Sequence, residues 1–260
     1  MFGSSIIGPM SDVNANGARV AAPARRLRAA ATRRRIGEAA FRLFALKGYA
    51  ATTMDAIARD AGVAVQTVYF TFHTKAAVLI EAIKIGGGAP ADAVEVMNRP
   101  WIEVALEAET GGRRLAVIVE HGTDIYSRLA PMYPAVSAAA SIDSDVGEAW
   151  QRIVRGRREG MRRITQAMAH RGELRDGLGT DRAADIMSAV HRHETYLALV
   201  AESGWSVEAY KAWLYVTLAR QLLTDDQAKR ALAPGSDALV GMSFASARAD
   251  CVFADPRWPR

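Results

Sequence analysis

The stretch GVAVQTVYFTFHTKAAVL, residues 62–79, decides the fold of the N-terminal part of the chain. It begins at a glycine, continues in a helical pattern, and enters a second helical pattern after the pair Thr74 and Lys75. When Val68 and Phe72, one helical turn apart, face a core, their neighbours cannot all face it too. The side chains left on the other faces are Gln66, Thr67, Tyr69 and Phe70. A short helix with this outward face predicts a polar partner.

Two helices are predicted before this stretch. Residues 32–47 carry an apolar stripe at helical spacing, formed by Ile36, Ala39, Ala40, Leu43 and Phe44. Gly48 follows and suits a C-terminal cap. The second helix has a stripe formed by Met54, Ile57, Ala58 and Ala61. Thr52 and Asp55 have the spacing of a capping box at its start.

Three helices with a glycine turn before the third indicate a helix-turn-helix, whose third helix enters the major groove of DNA. Gln66 can then bond two edges of an adenine, and Thr67 can meet a thymine methyl group. Residues at helix N-termini suit phosphate. The predicted DNA contacts are Arg33, Arg34, Thr52, Thr53, Val65, Gln66, Thr67, Tyr69, Phe70, Thr71, His73 and Lys75. In the alternative, Tyr69 and Phe70 close a small core and Gln66 is merely exposed.

Composition and charge agree with a polyanionic partner. The chain has 260 residues, half of them apolar, and a net charge of +5. Residues 22–37 (APARRLRAAATRRRIG) contain six arginines and no acidic residue, which favours a polyanion. The alternative for this run is a solvated start of a helix.

Cysteine usage and hydropathy predict a cytoplasmic protein. The single cysteine, Cys251, excludes a disulfide within the chain and fits a reducing compartment. No apolar run approaches the length that spans a bilayer, so no membrane association is expected. The N-terminus lacks the basic start and long apolar stretch of a signal peptide.

Residues 33–83 resemble the DNA-binding domain of the TetR family of bacterial transcriptional regulators. The matching residues are Ile36, Ala39, Ala40, Leu43, Phe44, Gly48, Thr52, Ile57, Ala58, Ala61, Gly62, Val63, Thr67, Val68, Tyr69, Phe72, Thr74, Lys75 and Leu79. Ala64 stands where the family usually has Ser or Thr as the cap of the third helix, a difference of about 1 kcal/mol. Thr71 stands where His or Tyr is common, which puts one phosphate contact in doubt. The resemblance implies a homodimer, a small-molecule pocket in the C-terminal domain, and repression relieved by ligand.

The remainder of the chain predicts more helices, so the fold class is all-α. These helices are expected near residues 75–85, 99–108, 112–129, 131–141, 145–171, 181–203 and 206–223. The predicted domains are a disordered tail at 1–24, the helix-turn-helix domain at 25–85, a helical ligand-binding and dimerisation domain at 86–224, and a tail at 225–260. The glycine-rich residues 86–93 are expected to form a flexible connection.

The helix at 206–223 is apolar on almost every side and must therefore be buried on several sides. Burial between two subunits, together with the helix at 181–203, is one explanation, and burial within one chain is the other. The first explanation predicts an interface made by Tyr210, Trp213, Leu214, Thr217 and Leu218.

A ligand pocket is predicted around the helix at 112–129. Its candidate lining residues are Trp101, His121, Asp124, Tyr126, Tyr133, Trp150 and Met161. This lining suggests an apolar or aromatic molecule whose polar end is fixed by His121 or Asp124. Each of these residues also fits a plain core. His191, His193 and Glu194 do not offer a convincing metal site, because His191 and His193 point about 200° apart on a helix.

The patterns predict a DNA-binding transcriptional regulator, and the resemblance implies that it is a repressor that a small-molecule effector releases from a palindromic double-stranded DNA operator. One alternative is a nucleoid-type or ligand-independent DNA-binding protein, although the third helix has no Lys or Arg and so favours base reading. An enzyme is disfavoured, since no nucleophile motif, paired cysteine, metal spacing or phosphate loop occurs. No cofactor and no metal are expected.

Overall fold

The computed structural model describes residues 17–88, 100–233 and 235–236, which form helices and no β-strand. The N-terminal part consists of α1 (Gly17–Ala51), α2 (Met54–Ala61), α3 (Val65–Phe72) and α4 (Lys75–Gly86). The C-terminal part consists of α5 (Pro100–Glu107), α6 (Gly111–Leu129), α7 (Tyr133–Ile142), α8 (Ser144–His170), α9 (Thr180–Val190), α10 (His193–Tyr196), α11 (Val207–Leu222) and α12 (Asp225–Ala231). A 3-10 turn (Ala130–Met132) precedes α7, and a π-helix (Leu197–Glu202) follows α10. The all-α prediction is confirmed.

Three predicted boundaries differ from the structure. Helix α1 begins at Gly17, inside the segment predicted as a disordered tail. The helix predicted at 181–203 is interrupted at His191 and Arg192, where Arg192 is extended (φ −138°, ψ 160°). Helix α12 occupies the start of the predicted C-terminal tail, with the Thr224 side chain accepting a hydrogen bond from the Gln227 amide. Acidic residues in its first turn and basic residues in its last complement the helix dipole.

Some sequence predictions lie outside the described residues. They concern residues 1–16 of the N-terminal tail, residues 89–93 of the glycine-rich connection, residue 99, and residues 237–260 with Cys251.

The first three helices pack as the apolar stripes predict. Ile36 and Phe44 of α1 are fully buried with Ile57 of α2 and Val68 of α3 in one core. Gly48 leaves helical geometry at φ 77° and ψ 173°, so the long regular part of α1 ends just before it. That position suits glycine because a Cβ is disfavoured at positive φ.

The start of α2 corrects one prediction. The helix is capped by Thr53, whose side chain accepts a hydrogen bond from the Ala56 amide, and not by Thr52. Thr52 is completely buried, and its hydroxyl donates to the carbonyl oxygens of Gly48 (2.8 Å) and Leu43 (3.2 Å). The hydroxyl therefore satisfies backbone groups at the end of α1.

Arg35 fixes the turn between α2 and α3. Its Nη2 donates to the carbonyl oxygens of Ala61 (2.9 Å) and Gly62 (3.1 Å), and Gly62 adopts the left-handed conformation at φ 63°. The guanidinium thus satisfies carbonyls that the end of a helix leaves without partners. One arginine of the basic run therefore has a structural role.

His73 ends α3 in a strained backbone conformation. Its φ and ψ are 60° and −46°, and the Thr74 amide donates to the Phe72 carbonyl at 2.6 Å across it. This arrangement is a γ-turn of the rare, strained kind. His73 is the one described non-glycine residue with positive φ.

We expect His73→Gly to raise the free energy of unfolding by about 1 kcal/mol. Relief of a strained conformation is worth about 1–3 kcal/mol, and the added backbone entropy of glycine offsets about 0.5–1 kcal/mol of it. Urea unfolding followed by circular dichroism measures the difference. His73→Ala is the matched control, because it removes the imidazole but retains the Cβ, and it should leave stability nearly unchanged. A less stable glycine variant would contradict this account of the turn.

A buried ion pair organises the far end of the C-terminal domain. Arg114 of α6 is fully buried, and its Nε lies 3.1 Å from Oε2 of Glu173, which is 3% exposed. The guanidinium also donates to the carbonyl oxygens of Ala105, Leu106 and Ala108 at the end of α5. It therefore joins the end of α5 and the turn after α8 to α6.

Candidate functional site

Helix α3 presents a mixed polar and aromatic face to solvent. Val68 is fully buried and Phe72 is 3% exposed, and these two side chains anchor the helix. On the opposite side Gln66 is exposed, Tyr69 is 49% exposed and Phe70 is 85% exposed. The alternative in which Tyr69 and Phe70 close a small core therefore does not hold. Helix α3 thus exposes aromatic surface beside an amide on the side opposite its buried anchors.

The other predicted DNA contacts on and near α3 divide by exposure. Val65, Thr67 and Thr71 are half-buried, and Thr71 Oγ1 donates to the Thr67 carbonyl at 2.7 Å. Val65, Thr67 and Thr71 therefore expose only part of their side chains to a partner, whereas Thr53 and His73 are exposed.

Three predicted DNA contacts, Arg33, Lys75 and Thr52, are hydrogen-bonded to groups of the protein itself. Arg33 Nη2 lies 2.6 Å from Oε2 of the buried Glu81, and its guanidinium carbon lies 4.5 Å from the centre of the Phe72 ring. Lys75 Nζ donates to the carbonyls of Tyr49 (2.8 Å) and Thr52 (3.1 Å). As described above, Thr52 is buried. The sequence shows the charge or hydroxyl of these residues but not the interior acceptors that hold them.

Basic side chains on α1 remain at the surface. Arg34 is exposed and pairs with Glu38 one turn on, at 2.8 Å. Arg25, Arg26 and Arg28 are also exposed. An exposed ion pair of this kind contributes little to stability, so Arg34 can exchange partners at small cost.

The C-terminal domain contains a largely apolar pocket. The lining residues are Ile83, Lys84, Trp101, Gly122, Ile125, Tyr126, Leu129, Tyr133, Trp150, Ile153, Val154, Arg157, Met161, His191 and His193. Ligand pockets typically have largely apolar walls and a few polar groups, as this pocket does. Because Ile83 and Lys84 belong to α4, the pocket reaches the helix that continues from the helix-turn-helix.

Five of the seven predicted pocket residues line this cavity, and His121 and Asp124 do not. His121 is exposed and stacks on Trp101 with ring centres 5.8 Å apart. Asp124 Oδ1 lies 3.0 Å from Lys211 Nζ, and both His121 and Asp124 line a separate depression. The α6 residues that face the pocket recur at helical spacing and are Gly122, Ile125, Tyr126 and Leu129. His121 and Asp124 lie next to this stripe and not on it.

Two polar side chains of the pocket, Arg157 and His191, come from residues that the sequence prediction missed. Arg157 follows Trp150 by seven residues and Ile153 by four, so it lies on the apolar stripe of α8, and that spacing was the available signal. His191 enters the pocket wall because the chain leaves helical geometry there. No sequence pattern indicates that break, because it depends on how α9 meets α6.

A chain of hydrogen bonds connects these polar groups. Arg157 Nη1 donates to the Tyr126 hydroxyl at 2.9 Å, and the Tyr126 hydroxyl donates to the His191 carbonyl at 3.1 Å. The His191 ring lies against Gly122, where an added Cβ would come within 2.0 Å of it. Glycine is therefore required on α6 at the point where the imidazole packs.

Several buried polar atoms around the pocket have no hydrogen-bond partner among the described residues. They are Arg157 Nε, Trp101 Nε1 and both ring nitrogens of His191. Burial, and secondarily the nearby charge of Arg157, lowers the pKa of His191 to about 3, so this imidazole is neutral at pH 7. Buried polar groups are normally hydrogen-bonded, and groups without partners at a pocket wall indicate a bound molecule or water.

His193 closes one side of the pocket. Its ring stacks on Tyr133 with centres 4.2 Å apart and meets Trp150 edge-on at 5.3 Å. Its Nδ1 lies 2.9 Å from Oε2 of Glu194, which is also paired with Arg192. The arrangement makes His193 part of an aromatic wall. The described residues contain no group of three or more His, Cys, Asp or Glu side chains suited to a metal ion.

The predicted interface residues of α11 separate into two sets. Tyr210, Leu214 and Leu218 are fully buried within the single chain, where α11 packs on α6 and α9. For them, burial within one chain is the correct explanation, because α6, α9, α12 and the π-helix surround α11. No second subunit is needed to cover these side chains. Trp213 and Thr217 remain half-buried.

One direct hydrogen bond joins the start of α8 to the helix-turn-helix part. The Tyr49 hydroxyl donates to Oδ2 of Asp143 at 2.6 Å, and burial together with this carboxylate raises the pKa of Tyr49. Asp143 also caps α8, because its Oδ1 accepts from the amides of Asp145 and Val146. The helix that lines the pocket therefore begins at a residue that contacts the N-terminal domain.

Comparison with known proteins agrees with this architecture. Residues 36–82 match the profile of the family described as bacterial regulatory proteins, tetR family, which confirms the resemblance noted in the sequence. No curated protein sequence matches the chain significantly. Among the described residues, no helix is both long and apolar enough to cross a bilayer.

Solved structures share the fold at low sequence identity. SmeT in complex with triclosan is 20% identical, with a TM-score of 0.59, covering 75% of this chain and 93% of that chain; SmeT is described as the repressor of the Stenotrophomonas maltophilia efflux pump SmeDEF. NalD, a secondary repressor of the Pseudomonas aeruginosa MexAB-OprM pump, is 22% identical, with a TM-score of 0.55 and coverages of 75% and 97%. FadR from Bacillus subtilis in complex with stearoyl-CoA is 21% identical, with a TM-score of 0.55 and coverages of 71% and 96%.

Proposed function

Residues 36–82 match the profile of the tetR family of bacterial regulatory proteins, and from that premise we propose that the chain is a sequence-specific, DNA-binding transcriptional regulator. The outward face of α3 carries the proposal. Gln66 and Phe70 are exposed there on a helix whose other side is fixed by Val68 and Phe72. A rigid helix with an exposed amide can read base edges in the major groove.

The exposed residues suggest distinct roles at the DNA. Gln66 would pair with an adenine edge, and Phe70 would meet apolar base surface such as a thymine methyl group. Tyr69, Thr53 and Arg34 would contact phosphates and set the register of the helix. Since α3 has no Lys or Arg, charge alone does not explain its surface, which favours base reading over a nucleoid-type role.

We propose that two copies bind DNA together through α9 and α11. Partly buried apolar side chains remain on these helices beside the core, among them Ile186, Val190 and Trp213. A second copy would cover them and would place two α3 helices on the same duplex. A two-fold symmetric protein requires two symmetric half-sites about one helical turn or more apart.

We further propose that a small molecule in the pocket releases the protein from its operator. The pocket wall includes Ile83 and Lys84 of α4, whose first residue, Lys75, is hydrogen-bonded to the turn between α1 and α2. Ligand binding and DNA binding thus act on one continuous helix. A hundredfold preference of the ligand for the DNA-free state would supply about 2.7 kcal/mol of shift.

Selection of bound duplexes from a random DNA pool tests the proposal. We expect the full chain, at fixed moderate salt, to enrich one palindromic or near-palindromic sequence, and sedimentation to show a dimer at micromolar concentration. Excess random DNA should compete poorly for the selected duplex.

Enrichment without any consensus would support the nucleoid-type alternative. A monomer in sedimentation, or a single asymmetric half-site in the selected pool, would contradict the two-fold arrangement.

A further inference from the structure

The pocket contains a half-buried positive charge, that of Arg157, which the rest of the pocket does not neutralise. Arg157 lines it and has one hydrogen bond, from Nη1 to the Tyr126 hydroxyl at 2.9 Å. Its Nε is buried without a partner, and no described carboxylate forms an ion pair with it. A partly desolvated charge without a counter-charge is unfavourable, so this position favours an anion.

Among the described residues, no acidic side chain lines the pocket to supply that counter-charge. The charged residues of the wall are Lys84 and Arg157, both cationic. Glu194, which contacts the wall residue His193, is itself paired with Arg192. The pocket is therefore net positive inside an otherwise apolar and aromatic lining. A cationic ligand would be repelled in spite of the aromatic rings.

A second, independent observation lies at the same end of the pocket. His191 is 1% exposed, lines the pocket, and has no partner for either ring nitrogen among the described residues. Its backbone carbonyl is joined to Arg157 through the Tyr126 hydroxyl, so the two side chains belong to one polar corner. A neutral imidazole has one N–H to donate. The corner thus offers donors from Arg157 and His191.

The opposite part of the pocket is apolar. Its side chains come from three helices and include Ile125, Leu129, Ile153 and Met161, with Trp150 and Tyr133 forming an aromatic side. This surface suits the hydrocarbon or aromatic body of a ligand. A molecule that matches both ends carries one acidic group on an apolar body.

Resting on the ligand-responsive function proposed above, we infer that the effector of this protein is an amphipathic organic acid whose acidic group pairs with Arg157 and accepts a hydrogen bond from His191. The charge of Arg157 selects the acid, and the apolar lining selects its body. This inference replaces His121 and Asp124 as the residues that fix the polar end. The acidic Asp124 lies outside this pocket and is paired with Lys211.

Two sets of probes that differ only in the head group test the inference. One set is decanoate, decanol and decylamine, and the other is 1-naphthoate, 1-naphthalenemethanol and 1-naphthylmethylamine. Binding to the full chain is measured by calorimetry. In at least one set we expect the acid to bind tenfold or more tightly than both the alcohol and the amine, because hydrogen bonds to charged groups are worth about twice those between neutral groups.

Arg157→Gln should remove the preference for the acid and leave the affinity for the alcohol within about twofold. Arg155→Gln is the matched control, since it deletes the same charge from an exposed position two residues away on the same helix. That control should retain the preference. Arg157→Lys keeps the charge and should retain most of it, and equal melting temperatures show that each variant is folded.

The outcomes separate the inference from the proposed function. If the acids bind no better than the alcohols and amines in both sets, or if Arg157→Gln retains the preference, the inference is wrong. Failure of all six probes to bind also overturns it, while selection of a palindromic duplex would leave the DNA-binding function standing. Arg157-dependent binding of an acid that does not alter DNA affinity supports the assignment of the site and contradicts release by ligand.

Discussion

Glu173→Gln should lower the free energy of unfolding by about 3–5 kcal/mol, because it leaves a buried charge without its partner. Arg114 is fully buried, and both oxygens of Glu173 lie within 3.2 Å of its guanidinium. Glutamine has nearly the same shape as glutamate, so the change removes charge and little packing. The carbonyls of Ala105, Leu106 and Ala108 remain as acceptors but carry no full negative charge.

Urea unfolding of the two proteins, followed by far-UV circular dichroism, measures the loss. Glu103→Gln is the matched control, since Glu103 is 64% exposed and pairs with Arg163 at 3.3 Å on the surface. Exposed pairs contribute about 0–1 kcal/mol, so the control should stay within that range. A loss below 1 kcal/mol for Glu173→Gln would show that water or a rearranged neighbour neutralises Arg114.

The second large effect concerns sequence recognition. We expect Gln66→Ala to lose about 1–3 kcal/mol of binding on the best selected duplex and to relax the preference at one base position. Gln66 is exposed on α3, and its amide is the group there that can donate to and accept from an adenine edge. Fluorescence anisotropy on the selected duplex and on its single-base variants, at one fixed salt concentration, measures both changes.

Arg34→Ala provides the contrast to Gln66→Ala. Arg34 is an exposed α1 residue that suits phosphate, so its loss should weaken binding to every duplex by a similar factor. It should also reduce the salt slope by about 1. Equal losses for Gln66→Ala on the selected duplex and on random DNA would remove Gln66 from base reading.

Much of the helical architecture could be predicted from the sequence because local patterns fix it. The stripe of α1, the glycine at 48 and the stripe of α2 each express a helix period or a glycine conformation that one segment carries alone. The burial of Val68 and Phe72 follows from the same periodicity. Features of this kind depend on neighbours within about one helical turn, so a single sequence contains them.

The parts of the sites that were missed depend on distant neighbours. His191 lines the pocket because α9 ends at this residue, next to Gly122 of α6. Gly122 lies about seventy residues earlier in the chain. Lys75 and Arg33 looked available for phosphate, but carbonyls and a carboxylate from other helices hold them. Similarly, the sequence allows the apolar faces of α11 to be covered by a second subunit or by the same chain, and α6 and α9 cover most of them. In each case the deciding partner comes from another helix.

The hydrogen bond between Tyr49 and Asp143 makes the start of α8 sensitive to a tilt of this helix at the pocket. Asp143 and Arg157 are fourteen residues apart, so at 1.5 Å per residue the pocket end and the Tyr49 end are separated by about 20 Å along the axis. A tilt of about 5° about the pocket would displace Asp143 by about 2 Å, by that same geometry. A contact of 2.6 Å that lengthens by so much is no longer a hydrogen bond. A small change in the angle of α8 would then be sufficient to break this contact between the two parts of the molecule.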